Sequence, residues 1–173
     1  VMGSLGAGMV VSAAYTLLPL YLQRIGMSVN EVGQMMAVLV LGAMLLQYPI
    51  GRWSDRHDRQ MVLIGISAFC VVISAAMLWL PLSTPLLAVL LFLLGGGVFA
   101  LYPVAVSHAA DRAPAGALVR MSQGLLLINS IGATISPLMI SPVMTAMGDA
   151  GLFWAFGSLS LFFVLFFGWR RGV

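Results

Sequence analysis

Charged residues are so sparse along this chain of 173 residues that six stretches run almost without one. A helix needs roughly 20 apolar residues to cross a hydrocarbon layer ~30 Å thick. Lipid offers no hydrogen bonds to the backbone, so each segment that crosses it must satisfy its own N–H and C=O groups, and the helix is the form open to a single span. The sequence therefore predicts an all-α, polytopic membrane protein of six transmembrane helices, over about 1–22, 32–50, 61–80, 85–108, 121–142 and 151–169. With 61% apolar and 8% charged residues, and a mean hydropathy of +1.07, nothing remains for a soluble domain, and 1–173 reads as one six-helix unit. Val1 opens directly into a span, and Arg170 and Arg171 stand near the other end. Both ends read as cut from something longer.

The links carry breakers or charge: Gly26 with Ser28 and Asn30, Pro81 with Pro85, Pro114 with Gly116, Gly148 with Gly151. The second link, Gly51 to Gln60, is dense in charge. All eight basic residues are arginines. Arg24 lies alone after the first span, whereas Arg52, Arg56, Arg59, Arg112, Arg120, Arg170 and Arg171 fall on the opposite side. Short loops rich in arginine stay in the cytoplasm, so both termini are expected there. The arginines are scattered among loops rather than gathered on one face, which argues against a nucleic-acid partner. Cys70 is the single cysteine, so neither an internal disulfide nor a cysteine zinc site is expected. No cofactor or metal is indicated.

The spans differ in what they carry. The third and sixth hold only small hydroxyls as polar groups, and the sixth is crowded with Phe153, Trp154, Phe156, Phe162, Phe163, Phe166, Phe167 and Trp169. Both suit lipid contact, with Trp79 and Trp169 as interfacial anchors. The first, second, fourth and fifth hold Tyr15, Gln34, Gln47, Tyr102, His108, Gln123 and Asn129. Polar side chains inside a membrane are costly and face a cavity or a partner. Tyr15, Gln34, Tyr102, Gln123 and Asn129 are the candidates for a substrate cavity, or equally for bonds between helices. His108 is the candidate for proton coupling, because histidine titrates near neutral pH. Gly3, Gly6, Gly8, Gly95, Gly96, Gly97 and Gly132 supply small faces for close helix packing.

The second link reads Gly51-Arg52-Trp53-Ser54-Asp55-Arg56-His57-Asp58-Arg59-Gln60. It resembles the signature loop (motif A) of the major facilitator superfamily, matching it at Gly51, Asp55, Arg56 and Arg59 and departing from it at Asp58 and Gln60. Gly51 would end a helix and permit close backbone approach. The stretches Leu18-Pro19-Leu20-Tyr21-Leu22, Pro49-Ile50-Gly51-Arg52 and Leu101-Tyr102-Pro103-Val104-Ala105 resemble the C-terminal half of bacterial members of the YcaD type.

The resemblance implies one six-helix half, built of two inverted three-helix repeats, of a twelve-helix secondary transporter that moves a small molecule by alternating access. It implies a conformational latch at Gly51, Asp55, Arg56, Arg59 and Asp111, with Asp55 directed at a helix end of the other half. It implies as partners the lipid bilayer and an N-terminal half, covalent or separate, or a second copy of this chain. The rival expectations are an intramembrane serine hydrolase using His108, and a membrane scaffold that does not transport.

Overall fold

In the computed structural model, residues 2–81, 83–114, 116–148 and 150–172 are described, the last three by backbone alone. Val1 and the side chains of Arg170 and Arg171 lie outside the described residues. Six helices follow one another: α1 Met2–Arg24, α2 Val29–Arg56, α3 Arg59–Trp79, α4 Thr84–Ala110, α5 Leu118–Met147 and α6 Gly151–Gly172. Each is long and apolar enough to cross a membrane, and no strand occurs among the described residues.

Several helix ends differ from the expected ones. α2 begins three residues early because Ser28 caps it: the Ser28 side chain accepts from the Glu31 N–H while the Glu31 carboxylate accepts from the Ser28 N–H at 2.8 Å. Such a reciprocal cap satisfies two otherwise orphaned donors. At its other end α2 continues through Gly51 to Arg56, so only His57 and Asp58 separate it from α3. The charges after residue 50 mark where the apolar stretch stops, and arginine is nonetheless a good helix former. The expectation that Gly51 ends a helix is thus corrected, since Gly51 lies within α2; within this chain a methyl group there would meet nothing within 4 Å. α5 likewise runs through Pro137 and Pro142.

α1 packs along α5, α2 along α4, and α3 against both α6 and α4. Glycines fix the first two crossings. A Cβ on Gly8 would overlap the carbonyl oxygen of Asn129, and one on Gly132 would overlap that of Leu5. In the other pair, Gly95 lies against the Leu39 carbonyl and Gly42 against that of Phe92. The interval from Gly8 to Gly95 equals that from Leu5 to Phe92, and the interval from Gly42 to Gly132 equals that from Leu39 to Asn129. α1–α3 and α4–α6 are therefore two copies of one plan, and each copy's first helix is seated on the other copy's second helix. α1 runs parallel to α5 and α2 parallel to α4, so the copies are inverted relative to each other.

α1 and α4 are the most buried helices, and α2 and α5 the least. This changes the expected place of α6. Phe153, Phe156, Phe163 and Phe167 are buried, with Phe163 filling the space over Gly6 and Phe167 that over Gly3. Their spacing of three, seven and four residues lays them on one face. Only the opposite face of α6, with Trp154, Phe162, Leu165 and Trp169, is exposed.

Candidate functional site

Polar chemistry concentrates where α2 ends, α3 begins and α4 ends. Asp58 is the N-cap of α3, its Oδ1 accepting from the Gln60 N–H at 2.9 Å. An aspartate there also complements the positive end of the helix dipole, so Asp58 is well placed at a position where the family pattern has glycine. One residue on, Arg59 turns back across the junction. Its Nη2 lies 3.5 Å from Asp55 Oδ1 on α2, and its Nε lies 3.2 Å from Asp111 Oδ2 at the end of α4. Asp111 is the C-cap of α4, where a negative charge faces the negative end of the helix dipole. Arg59 offsets that repulsion and joins three helices in one step.

The surrounding recess, about 280 Å³ in volume, also takes in Ser54, His57, His108 and Arg112. Arg112 contacts Nε2 of His108 one turn before it. A guanidinium only donates, so in this contact the histidine nitrogen is on the accepting side. His57 Nδ1 faces the Trp53 carbonyl at 3.1 Å. A second recess of about 300 Å³ adjoins the first and is lined by Met2, Gly3, Gln60, His108, Phe166 and Phe167 among others. Gln60 donates across it to the Phe167 carbonyl at 2.9 Å.

Of the five expected latch residues, Asp55, Arg59 and Asp111 are brought together. Gly51 stands a full turn away in open space, and Arg56 is exposed with no ion-pair partner among the described residues. Arg112 was legible as the i+4 neighbour of His108, and Ser54 gave no local sign. Neither histidine has a serine hydroxyl bonded to it among the described residues.

The five cavity candidates do not form one cluster. Tyr15 is exposed on α1 with its ring edge-on to Phe99 of α4 at 5.3 Å, and Gln47 of α2 donates to the Phe99 carbonyl at 3.2 Å. Tyr102 is half-buried one turn beyond Phe99, and Asn129 is half-buried where α5 crosses α1. Tyr15 and Tyr102 are separated by the same interval as Gly8 and Gly95, so they occupy equivalent places in the two copies. Gln34 and Gln123 are exposed in the opening turns of α2 and α5, which start at opposite ends of the bundle. Ser136 ties α5 to α1 by donating to the Met9 carbonyl at 2.6 Å.

Six apolar helices in two inverted copies, joined at one end by a three-helix ion bridge, define a polytopic membrane protein with an internal repeat. The chain belongs to the Major Facilitator Superfamily, whose family model matches residues 1–172. It is 37% identical over 163 residues to an uncharacterized MFS-type transporter of Yersinia enterocolitica, covering 94% of this chain and 42% of the relative. It is 36% identical, with the same coverage, to the uncharacterized MFS-type transporter YcaD of Escherichia coli O139:H28. A Yersinia pestis relative is 39% identical over 151 residues, covering 87% of this chain and 38% of its own length. The chain thus spans about two fifths of the length of these curated relatives.

Proposed function

We propose that this chain is the C-terminal six-helix half of a secondary transporter, which moves a small solute by alternating access between itself and an N-terminal half. The observation that carries this is the Arg59 bridge, because it couples α4 to the α2–α3 junction by charges that rigid-body rocking of α1 and α4 would separate. Asp55 has its side chain 72% exposed and only one oxygen near Arg59, which leaves it free to meet a helix N-terminus of the other half. Closing that contact favours the outward-open state. The wide exposure of α2 and α5 supports a second wall on that side, supplied by a covalent or separate half or by a second copy. By the arginine bias, the Arg59 end and both termini are cytoplasmic.

Substrate contacts fall to Tyr15, Tyr102 and Asn129 near mid-bundle, with Gln34 and Gln123 at the two mouths. These groups are neutral, so a charged solute would find its counter-charge in the other half or at His108. His108 serves proton coupling once Arg112, which is exposed, swings away from Nε2.

The test is counterflow of labelled sugars, organic anions and lipophilic cations in proteoliposomes of the intact protein. Transport that is lost in Asp55→Asn and kept in Ser107→Ala is the expected result. Wild-type transport by Asp55→Asn would remove the latch, and covalent labelling of a serine by a hydrolase probe would replace the transporter with an enzyme.

A further inference from the structure

Two apolar grooves on the bundle are related by the internal repeat. One, about 460 Å³, lies between α2, α3 and α4 and is lined by Leu46, Pro49, Ile50, Trp53, Gly65 and Phe69 among others. The other, about 490 Å³, lies between α5, α6 and α1 and includes Met139, Ile140, Val143, Trp154 and Phe162. The repeat interval sets Pro49 against Met139, Ile50 against Ile140 and Trp53 against Val143. Both volumes are in the range of ligand pockets, and both walls are predominantly apolar.

Their ends differ. In α2, Pro49, Arg52, Trp53 and Arg56 stand at i, i+3, i+4 and i+7, so the two arginines continue the groove's own face past its end. Trp53 marks the boundary. Its ring lies 3.2 Å from where a Gly65 Cβ would stand, and it is 44% exposed. Indoles of this kind settle at the headgroup level. Arg52 donates to the Tyr48 hydroxyl at 3.4 Å, and neither Arg52 nor Arg56 has a carboxylate partner among the described residues. In the second groove the same places hold Pro142 and Ala146, and the last turn of α5 has no basic residue.

We propose that the groove between α2, α3 and α4 seats one acyl chain of an anionic phospholipid, with its headgroup phosphate held by Arg52 and Arg56. An apolar slot that ends in an interfacial indole and two guanidinium groups without a carboxylate partner among the described residues matches that molecule along its whole length. The second groove takes acyl chains without regard to headgroup charge. None of Asp55, Arg59 and Asp111, the residues joined by the ion bridge, enters into this, while Arg56 is shared with the family signature.

Tryptophan quenching by brominated lipid tests it. In the intact protein every tryptophan except Trp53 is replaced by phenylalanine, and vesicles of brominated phosphatidylglycerol are compared with vesicles of brominated phosphatidylcholine. The expected preference for phosphatidylglycerol is about fivefold or more, given the attraction of each arginine to an anionic surface. R52Q/R56Q removes the preference and R52K/R56K keeps it, which separates charge from any loss of fold. A protein retaining only Trp154 shows none. Equal quenching by both lipids at Trp53, no quenching there by either, or a preference that survives R52Q/R56Q would overturn the proposal.

Discussion

The two three-helix copies share a skeleton and differ in almost everything attached to it. Both crossings, α1 on α5 and α4 on α2, are seated by a pair of glycines whose Cβ positions are taken by the partner's carbonyl oxygens. Beyond that the copies diverge. Where α5 sends Ser136 to the Met9 carbonyl, α2 has Leu46 packed on Gly96, and these two contacts are repeat equivalents. The α2–α3 junction carries Asp55, Asp58 and Arg59, while the α5–α6 junction has a single charge in sequence, Asp149. Duplication kept the contact that lets two helices cross closely in lipid, where small residues gain packing that the hydrophobic effect does not supply.

The comparison is broken most directly at the glycines. Ala for Gly in a helix interior ordinarily gains about 1 kcal/mol. Here Gly42→Ala and Gly132→Ala must each push two backbones apart, with an expected loss of roughly 1–3 kcal/mol or more. Thermal unfolding of the detergent-solubilised intact protein reads the sign. If only one of the two variants falls, the crossings are not equivalent and the repeat is a likeness of outline alone.

The next pair sharpens the divergence between the copies. Leu46→Ala leaves a gap over Gly96 and is expected to cost about 2 kcal/mol, near the low end for leucine because the residue is only half-buried. Ser136→Ala removes one bond between helices and is expected to cost about 1 kcal/mol. The same unfolding measurement ranks them, and the reverse order would mean that the hydroxyl, not the packing, holds its seam.

The charged junction is expected to contribute little to stability. Arg59 and Asp111 are accessible, and exposed ion pairs are worth up to about 1 kcal/mol. A double-mutant cycle of Arg59→Gln and Asp111→Asn should therefore give a coupling below that figure in the unfolding free energy, while transport by the intact protein falls severely. Coupling of several kcal/mol would make the bridge a structural strut and leave the latch without its observation.

The number and order of the spans were legible because roughly 20 apolar residues in a row is a signal that needs no partner. The Asp55–Arg59 pair was legible through its spacing, and Asp111 through the family resemblance. Gly42 gave no sign, since a lone glycine in an apolar stretch looks the same whether it meets a backbone or nothing. Its reason, the Phe92 carbonyl, lies fifty residues away in the chain. The buried phenylalanines of α6 were misplaced for the opposite cause. Their helical spacing was visible in the sequence, but the glycine hollows of α1 that receive Phe163 and Phe167 were not.

The smallest effect tests the residue on which sequence and structure part. Gly51 belongs to the family signature, yet it sits inside α2 facing open space. Within this chain alone, Gly51→Ala should then stabilise by roughly 0.5 kcal/mol, from the backbone entropy that glycine loses in a helix. Unfolding and transport measured on one preparation separate two causes. A gain in stability with transport unchanged would leave Gly51 without a role. A gain in stability with transport lost would mean that the open space beside Gly51 is filled during the cycle by backbone outside these six helices, the close approach that Gly42 and Gly132 already make inside them.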